Sequence, residues 1–233
     1  MRSTEIQRLS DVEDRHWWFR EKRRILAREL RRLGPPPGRA LDIGAAGGGN
    51  SRVLVSHGWR TVVADLSPTA VEIARARGLD AHVADARDLP WAAESFDLVT
   101  AFEILEHIEE DGVAAAEMFR VLRPGGTALI TVPADMRLWS PHDEAVNHVR
   151  RYDRAGLTSV IAGSGLVVDE VWSWNVLLRP LIALYRTRST GSDIDDPPIA
   201  PVNALLGAVV AAERVLPVRS LPGVSLILRA HRP

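Results

Sequence analysis

The run Leu41-Asp42-Ile43-Gly44-Ala45-Ala46-Gly47-Gly48-Gly49 ends a short apolar segment in glycines. Glycines in that place let a backbone approach a ligand closely where a strand turns into a helix. Gly44-x-Ala46-x-x-Gly49 is a degraded form of the dinucleotide fingerprint, and the acid at the next strand end, Asp65, suits the hydroxyls of a ribose. By itself the loop fits either a nucleotide-containing ligand or a tight turn with none. Proton transfer is the second chemistry on offer. Histidine titrates near neutrality, and three of the seven histidines, His107, His142 and His148, follow segments that read as strands. Arg150 and Arg151 are of the type that holds a carboxylate or phosphate with paired hydrogen bonds; the alternative is a solvated or helix-packing pair. His142, Asp143 and His148 are sensible metal-ligand types, but their spacing matches no tight motif and no metal is expected. There is no cysteine, which removes disulfides, thiolate zinc sites and a cysteine nucleophile.

These residues need elements to position them. Residues 4–33 read as one helix, with Trp18, Ile25, Leu26 and Leu30 at helical spacing, stopped by Gly34-Pro35-Pro36-Pro37-Gly38. Strands are expected at 40–43, 60–65, 80–84, 96–101 and 126–132, with helices at about 49–57, 68–77 and 112–122. Such alternation implies a parallel sheet with helices on both faces. A helix at 153–162 follows, with Asp153 as N-cap, and strands at 166–173 and 224–230 close the sheet. Between these strands lies an insertion, about 175–222, with apolar helical patches at Val176–Tyr185 and Val202–Val215 and a polar linker from Ser189. The chain thus divides into an N-terminal helix, 1–38, and a ligand-binding domain, 39–233.

The chain has 233 residues, is 46% hydrophobic and 25% charged, and carries a net charge of -1. That suits one globular domain with an addition and provides no basic field for nucleic acid. The N-terminus has no apolar signal region. The longest apolar run, Ala204–Ala212, falls well short of the roughly 20 residues that span a bilayer. A cytoplasmic protein is expected. Lys22 is the single lysine among many arginines, which reads as compositional bias. Seven tryptophans against two tyrosines are the odder fact.

Five further elements carry a resemblance: Val-Ala-Asp-Leu-Ser at 63–67, Ala84-Asp85-Ala86 with Leu89-Pro90, Ser95-Phe96-Asp97, Glu103-Ile-Leu-Glu-His107-Ile and Leu122-Arg-Pro-Gly-Gly126. With Leu41-Asp42-Ile43-Gly44 before them, the sequence resembles the class I S-adenosylmethionine-dependent methyltransferases, of the small-molecule type that includes ubiquinone-biosynthesis O-methyltransferases. The resemblance implies a doubly wound α/β fold with a mostly parallel seven-stranded sheet. It implies S-adenosylmethionine as cofactor, with Asp42 and the backbone from Gly44 through Ala46 to Gly48 around the methionine part. Asp65 would take the ribose hydroxyls, Leu66 cover the adenine, and Asp85 receive its amino group with Ala86 alongside. Phe102 and Glu103 would lie at the methionine end. Ala46 departs from the pattern, standing where a glycine is expected.

Methyl transfer from a sulfonium is an in-line displacement, so the protein mainly positions an acceptor. A hydroxyl acceptor needs a base, and His142, then His107 and His148, are the candidates. Trp18, Trp139, Arg150, Arg151, Tyr152 and Trp174 are the candidate acceptor contacts. Trp17 and Trp18 point to different sides of a helix, where the plainer reading is a packing anchor. The insertion reads first as a lid or core extension; a homodimer surface and a peripheral membrane patch are the other uses. N- or C-methylation, including of a lipid-linked substrate, an NAD-dependent oxidoreductase, and a non-methylating protein on the same fold are the alternative functions. The acceptor itself is a small molecule of unspecified identity.

Overall fold

A computed structural model of the chain describes residues 3–34, 38–186 and 198–233. The expected linker from Ser189 and the three prolines at 35–37 lie outside these residues. β1 (Arg39–Ile43), β2 (Arg60–Asp65), β3 (Asp80–Val83), β4 (Phe96–Phe102) and β5 (Leu122–Pro133) pair in parallel, and β7 (Ser225–His231) joins β5 and β6 (Val167–Trp174) in antiparallel register. The order is β3-β2-β1-β4-β5-β7-β6. The chain reverses its direction of winding between β1 and β4, which opens a crevice at the carboxyl ends of the strands.

Strand alternation sorts the core. Leu41, Ile43, Val99, Ala101 and Ile130 face one layer, which includes Met118 of α5 (Asp111–Val121) and Leu157 of α7 (Arg154–Gly163). Ala40, Leu98 and Leu129 face the other, against Leu26 and Leu30 of α2 (Trp17–Leu33) and Leu54 of α3 (Gly49–Ser56). α4 (Pro68–Ala76) packs on β2 and β3.

The single N-terminal helix expected over 4–33 is two. α1 (Ser3–Val12) ends in a turn, and α2 restarts after His16, whose extended backbone and ring nitrogen, 3.2 Å from the Trp18 N–H, cap it. Burial pushes the His16 imidazole down to about 4, which keeps that nitrogen an acceptor. Hydrophobic spacing runs on across the break, and histidine is not among the usual capping residues. α1 then docks on α4, where Arg77 donates to the Gly47 carbonyl at 2.6 Å and to the Ser10 carbonyl at 3.1 Å. A side chain at Gly47 would collide with Ser10, so that glycine serves helix docking.

The insertion supplies α8 (Arg179–Arg186) and α9 (Ala200–Ala212). α9 packs on α2, with the Asn203 side chain accepting from the Trp17 N–H and donating to the Arg15 carbonyl, each at 2.9 Å. Trp17, Ile25, Trp172, Trp174 and Val210 make a second core there, so part of the insertion extends the core as expected.

At the hub of the sheet, the Asp42 carboxylate is 1% exposed and accepts hydrogen bonds from Ser51 of α3 and Thr100 of β4, each at 2.6 Å. Burial pushes its pKa up to about 6 despite both hydroxyls. A carboxyl raised in the folded state stabilises the fold below its unfolded pKa and loses that contribution as pH rises through the folded value. Relative to Asp42→Asn, the wild type is therefore expected to lose roughly 2 kcal/mol of stability between pH 4 and pH 7. Thermal melts of the two proteins across that range measure the difference, and parallel curves would refute it.

Candidate active site

The crevice at the switch point is an open cleft of about 290 Å³, lined by Ile43, Gly44, Asp65, Leu66, Ala84, Asp85, Ala86, Arg87, Ile104 and His107, and closed by residues 108–110. This volume is at the lower end of the range of small-ligand sites. Gly44 must stay bare: its φ is 66° and a Cβ would come within 2.6 Å of Ile104.

Asp65 ends β2 and holds the glycine loop. One oxygen accepts from the Ala46 N–H at 2.9 Å, the other from the Ser67 N–H at 2.8 Å. Ala46 has a φ of 47°, a conformation that costs a residue other than glycine about 1–2 kcal/mol. The charged bond from Asp65 offsets that cost, which is how the chain tolerates alanine there. Burial pushes the Asp65 carboxyl up. Gly48, with a φ of 81°, caps α3 and packs against Leu79. Leu66 is 66% exposed, an aliphatic surface presented to the cleft.

Asp85 has a partner that the sequence did not single out. Arg87 reaches it at 2.7 Å and also meets Glu110 at 2.8 Å, drawing the end of β3 toward the segment after β4. The hydrogen bond from Arg87 holds the Asp85 carboxyl below its usual range. Ala86 lines the cleft beside them. Asp42 does not line the cleft; it braces the loop from behind. Phe102 packs with Leu26 and Leu30 in the α2 layer.

The far end of the cleft is built by a single 3-10 turn (Leu105–His107) after β4, a second (Met136–Leu138) after β5, and α6 (Pro141–Ala145). Glu103 takes a left-handed φ of 57° and pairs with Lys22 of α2 at 2.9 Å, while Thr131 donates to it at 2.9 Å. Burial alone would raise the Glu103 carboxyl, but Lys22 outweighs it and the net shift is downward. Lys22, 5% exposed, also lies over the Trp18 ring at 4.8 Å. The lone lysine is thus a buried tie between α2 and the site; its singularity in the sequence was the available signal.

His107, His142 and His148 converge, although they are far apart in sequence. The ring centroids of His107 and His148 are 4.8 Å apart, and those of His142 and His148 are 6.1 Å apart. His107 borders the cleft; burial, then the neighbouring His148, push its pKa down to about 4, so its ring is neutral. His142 is buried at 5% exposure. The Asp143 carboxylate binds His148 Nδ1 at 2.8 Å and the Arg151 guanidinium at 2.8 and 3.0 Å, and accepts from the Ser140 N–H at 2.9 Å. Burial works against its charge, but His148 and Arg151 hold the Asp143 carboxyl well below its usual range.

Three expected acceptor contacts are instead committed to the framework. Arg151 is buried on Asp143. Arg150 bonds Asp111 at 2.6 Å and the Glu109 carbonyl at 2.8 Å. The Tyr152 hydroxyl donates to Asp111 at 2.7 Å, and its pKa is pushed well above the usual value, chiefly by burial. The carboxylate or phosphate clamp read from Arg150 and Arg151 is corrected accordingly: buried acids on neighbouring elements claim both guanidiniums. Trp18 and Trp174 meet at 4.5 Å in the second core, and Trp139 is half-buried on the loop before α6.

Residues 41–130 match the Methyltransferase domain family. Over 162 residues the chain is 28% identical to a probable S-adenosylmethionine-dependent methyltransferase of Mycolicibacterium smegmatis, covering 67% of this chain and 62% of the relative. It is 32% identical over 138 residues to a ubiquinone biosynthesis O-methyltransferase of Hahella chejuensis, covering 52% and 58%. The alignments thus span about three fifths of these relatives' length. A solved phosphoethanolamine N-methyltransferase 2 of Haemonchus contortus, in complex with S-adenosyl-L-methionine, shares the fold with a TM-score of 0.58 and 23% identity, covering 88% of this chain and 51% of that one. The glycine loop, Asp65, Asp85 and Glu103 fall inside the matched family segment; His142, His148 and α2 fall outside it.

Removing one member of a buried ion pair strands the other, at a cost of about 3–5 kcal/mol. Arg151→Ala is therefore expected to lower the melting temperature by roughly 10 °C. A variant that melts like the wild type would contradict the framework role.

Proposed function

We propose that the chain, whose residues 41–130 match the Methyltransferase domain family and which is similar to a probable S-adenosylmethionine-dependent methyltransferase, methylates a hydroxyl oxygen of a small-molecule acceptor. The observation that carries this reading is one cleft bordered at one end by Asp65 and Leu66 and at the other by His107. When bound, S-adenosylmethionine supplies a methyl group on a sulfonium sulfur, whose carbon–sulfur bond breaks as the carbon–oxygen bond forms.

The residues present suit that cofactor. Asp65 accepts from backbone N–H groups with both oxygens, and each oxygen retains a lone pair for a ribose hydroxyl. Leu66 offers a flat aliphatic cover for a base, and bare Gly44 admits a close approach. Asp85 lines the same cleft, paired with Arg87, and is the carboxylate assigned to an adenine amino group.

At the acceptor end the chain's own task is to hold a hydroxyl in line and take its proton. His107 and His148 both keep Nδ1 engaged, with the Asn147 carbonyl at 3.1 Å and Asp143 at 2.8 Å. The neutral His107 ring then offers Nε2 as a proton acceptor, and His148 stands beside it. His142 completes the cluster from α6. The O-methyltransferase among the relatives supports oxygen as the methylated atom. α2 and the insertion, which hold Trp18 and adjoin Trp174, belong to the acceptor half of the protein.

Calorimetry with S-adenosylhomocysteine tests the cofactor half. The wild type is expected to bind it, and Asp65→Ala to weaken binding roughly 100-fold, the effect of losing two hydrogen bonds to a charged group. Binding of NAD in its place, or unchanged affinity in the variant, would overturn the assignment. Turnover against hydroxylated and amino acceptors, read by mass spectrometry, decides between oxygen and nitrogen.

A further inference from the structure

Glu106 differs from the other carboxylates around the cleft. It is fully buried, and neither carboxylate oxygen has a hydrogen-bond partner among the described residues. A buried polar group left in this way costs about 1–3 kcal/mol, and more when charged, so its presence asks for a reason. Charge does not provide one nearby. Lys22 is spent on Glu103 and Arg151 on Asp143, which leaves Glu106 as the uncompensated acid of the cluster.

The two histidines beside it point the same way. His107 Nδ1 faces the Asn147 carbonyl, which can only accept, so that nitrogen carries the ring proton. His148 Nδ1 faces the ionised Asp143 carboxylate, so it carries the proton as well. In both rings Nε2 is the nitrogen left for a further ligand. His148 Nε2 stands 3.8 Å from Glu106 Oε1, beyond hydrogen-bond range. Glu106, His107 and His148 each bring a ligand atom to within 4.8 Å of the other two.

From this convergence we infer a divalent-cation site, in which Glu106, His107 and His148 bind a first-row transition ion through one carboxylate oxygen and two imidazole nitrogens. Two imidazoles with one carboxylate select such an ion over magnesium or calcium, which prefer all-oxygen sites. Bonds of about 2.1 Å would bring the ligand atoms roughly 3–3.5 Å apart, a contraction that side-chain rotation supplies. The outer partners are already in place. Ligating histidines commonly donate their other N–H to a carboxylate or a backbone carbonyl, which are the partners of His148 and His107 here. Asp143 is fixed in turn by Arg151 and Ser140, and Asn147 holds its carbonyl in place from a left-handed φ of 59°. Sequence spacing around His142, Asp143 and His148 matched no metal motif and no metal was expected; the fold brings Glu106 and His107 from the end of β4 to His148 and makes Asp143 an outer partner.

The role of the ion rests on the methyl-transfer reading. His107 borders the cleft, so an acceptor oxygen can reach the ion's open positions. An ion held there would lower the pKa of a coordinated hydroxyl, whose proton would pass to water in the open cleft.

Chelator-treated, dialysed protein is expected to take up one Co²⁺ per chain, with the visible absorption of an imidazole-ligated ion, and to release it to Zn²⁺. The chain has no cysteine to contribute a thiolate band. Glu106→Gln, which keeps the side chain's shape, and His107→Ala are each expected to weaken Co²⁺ binding tenfold or more, on the order of losses at metal sites. His57→Ala, at the end of α3, should bind as the wild type. No Co²⁺ spectrum with the wild type, or equal affinity in the folded Glu106→Gln and His107→Ala proteins, would overturn the site. Circular dichroism confirms folding. S-adenosylhomocysteine titrated into the same samples separates the two readings, since loss of cofactor binding refutes the methyltransferase reading and leaves a Co²⁺ site standing.

Discussion

A carboxylate at the centre of a parallel sheet has no water to solvate it, and the rest of this molecule is arranged around how that is met at Asp42. Its two oxygens take the hydroxyls of Ser51 and Thr100, so one side chain ties β1 to its neighbour β4 and to the helix that follows the glycine loop. The negative charge also lies near the N-terminus of α3, where the helix dipole favours it. With the loop pinned from behind by Asp42 and from in front by Asp65, its glycines and the left-handed Ala46 are held in a shape that a free chain would rarely adopt.

The opposite end of the cleft is organised by ion pairs in place of hydroxyls. Lys22 crosses from α2 to Glu103, and Arg151 folds back onto Asp143. Each pair neutralises an acid and also joins two elements: α2 to the edge of β4, and the segment after α6 to α6 itself. Buried pairs of this type are weak sources of net stability, but breaking one is costly. Their effect here is geometric. They hold His107, His142 and His148 in a common cluster and leave Glu106 without a hydrogen-bond partner among the described residues.

Much of the catalytic half was legible from the chain. Strand alternation at 40–43, 60–65 and 96–101 and the glycine run locate the sheet and its switch point, because period-two patterning and strand-to-helix turns are local properties. Asp65, Leu66, Asp85 and Ala86 stand at the strand ends where the cleft forms. The break at residues 13–16 was not legible, since hydrophobic spacing continues through it and His16 caps by virtue of being buried and neutral. Arg87 escaped notice, and Lys22 was read as compositional bias, because charge on a helix or loop is ordinary in sequence and their partners lie on other elements.

Residue types at local spacing determined the fold class, the glycine loop and the acid that faces it, since these depend on neighbours a few positions away. Tertiary structure decided which charges meet. Arg150 and Arg151 look like an anion clamp in sequence and are structural ties in space, because Asp111 and Asp143 arrive from separate elements to claim them. Three histidines dispersed over some forty positions become one cluster, and Glu106, unremarkable in its motif, becomes a buried acid within 4.8 Å of imidazole nitrogens of His107 and His148. Pairing and burial are long-range properties, set by where the sheet and its loops bring side chains together, and no spacing rule along the chain contains them.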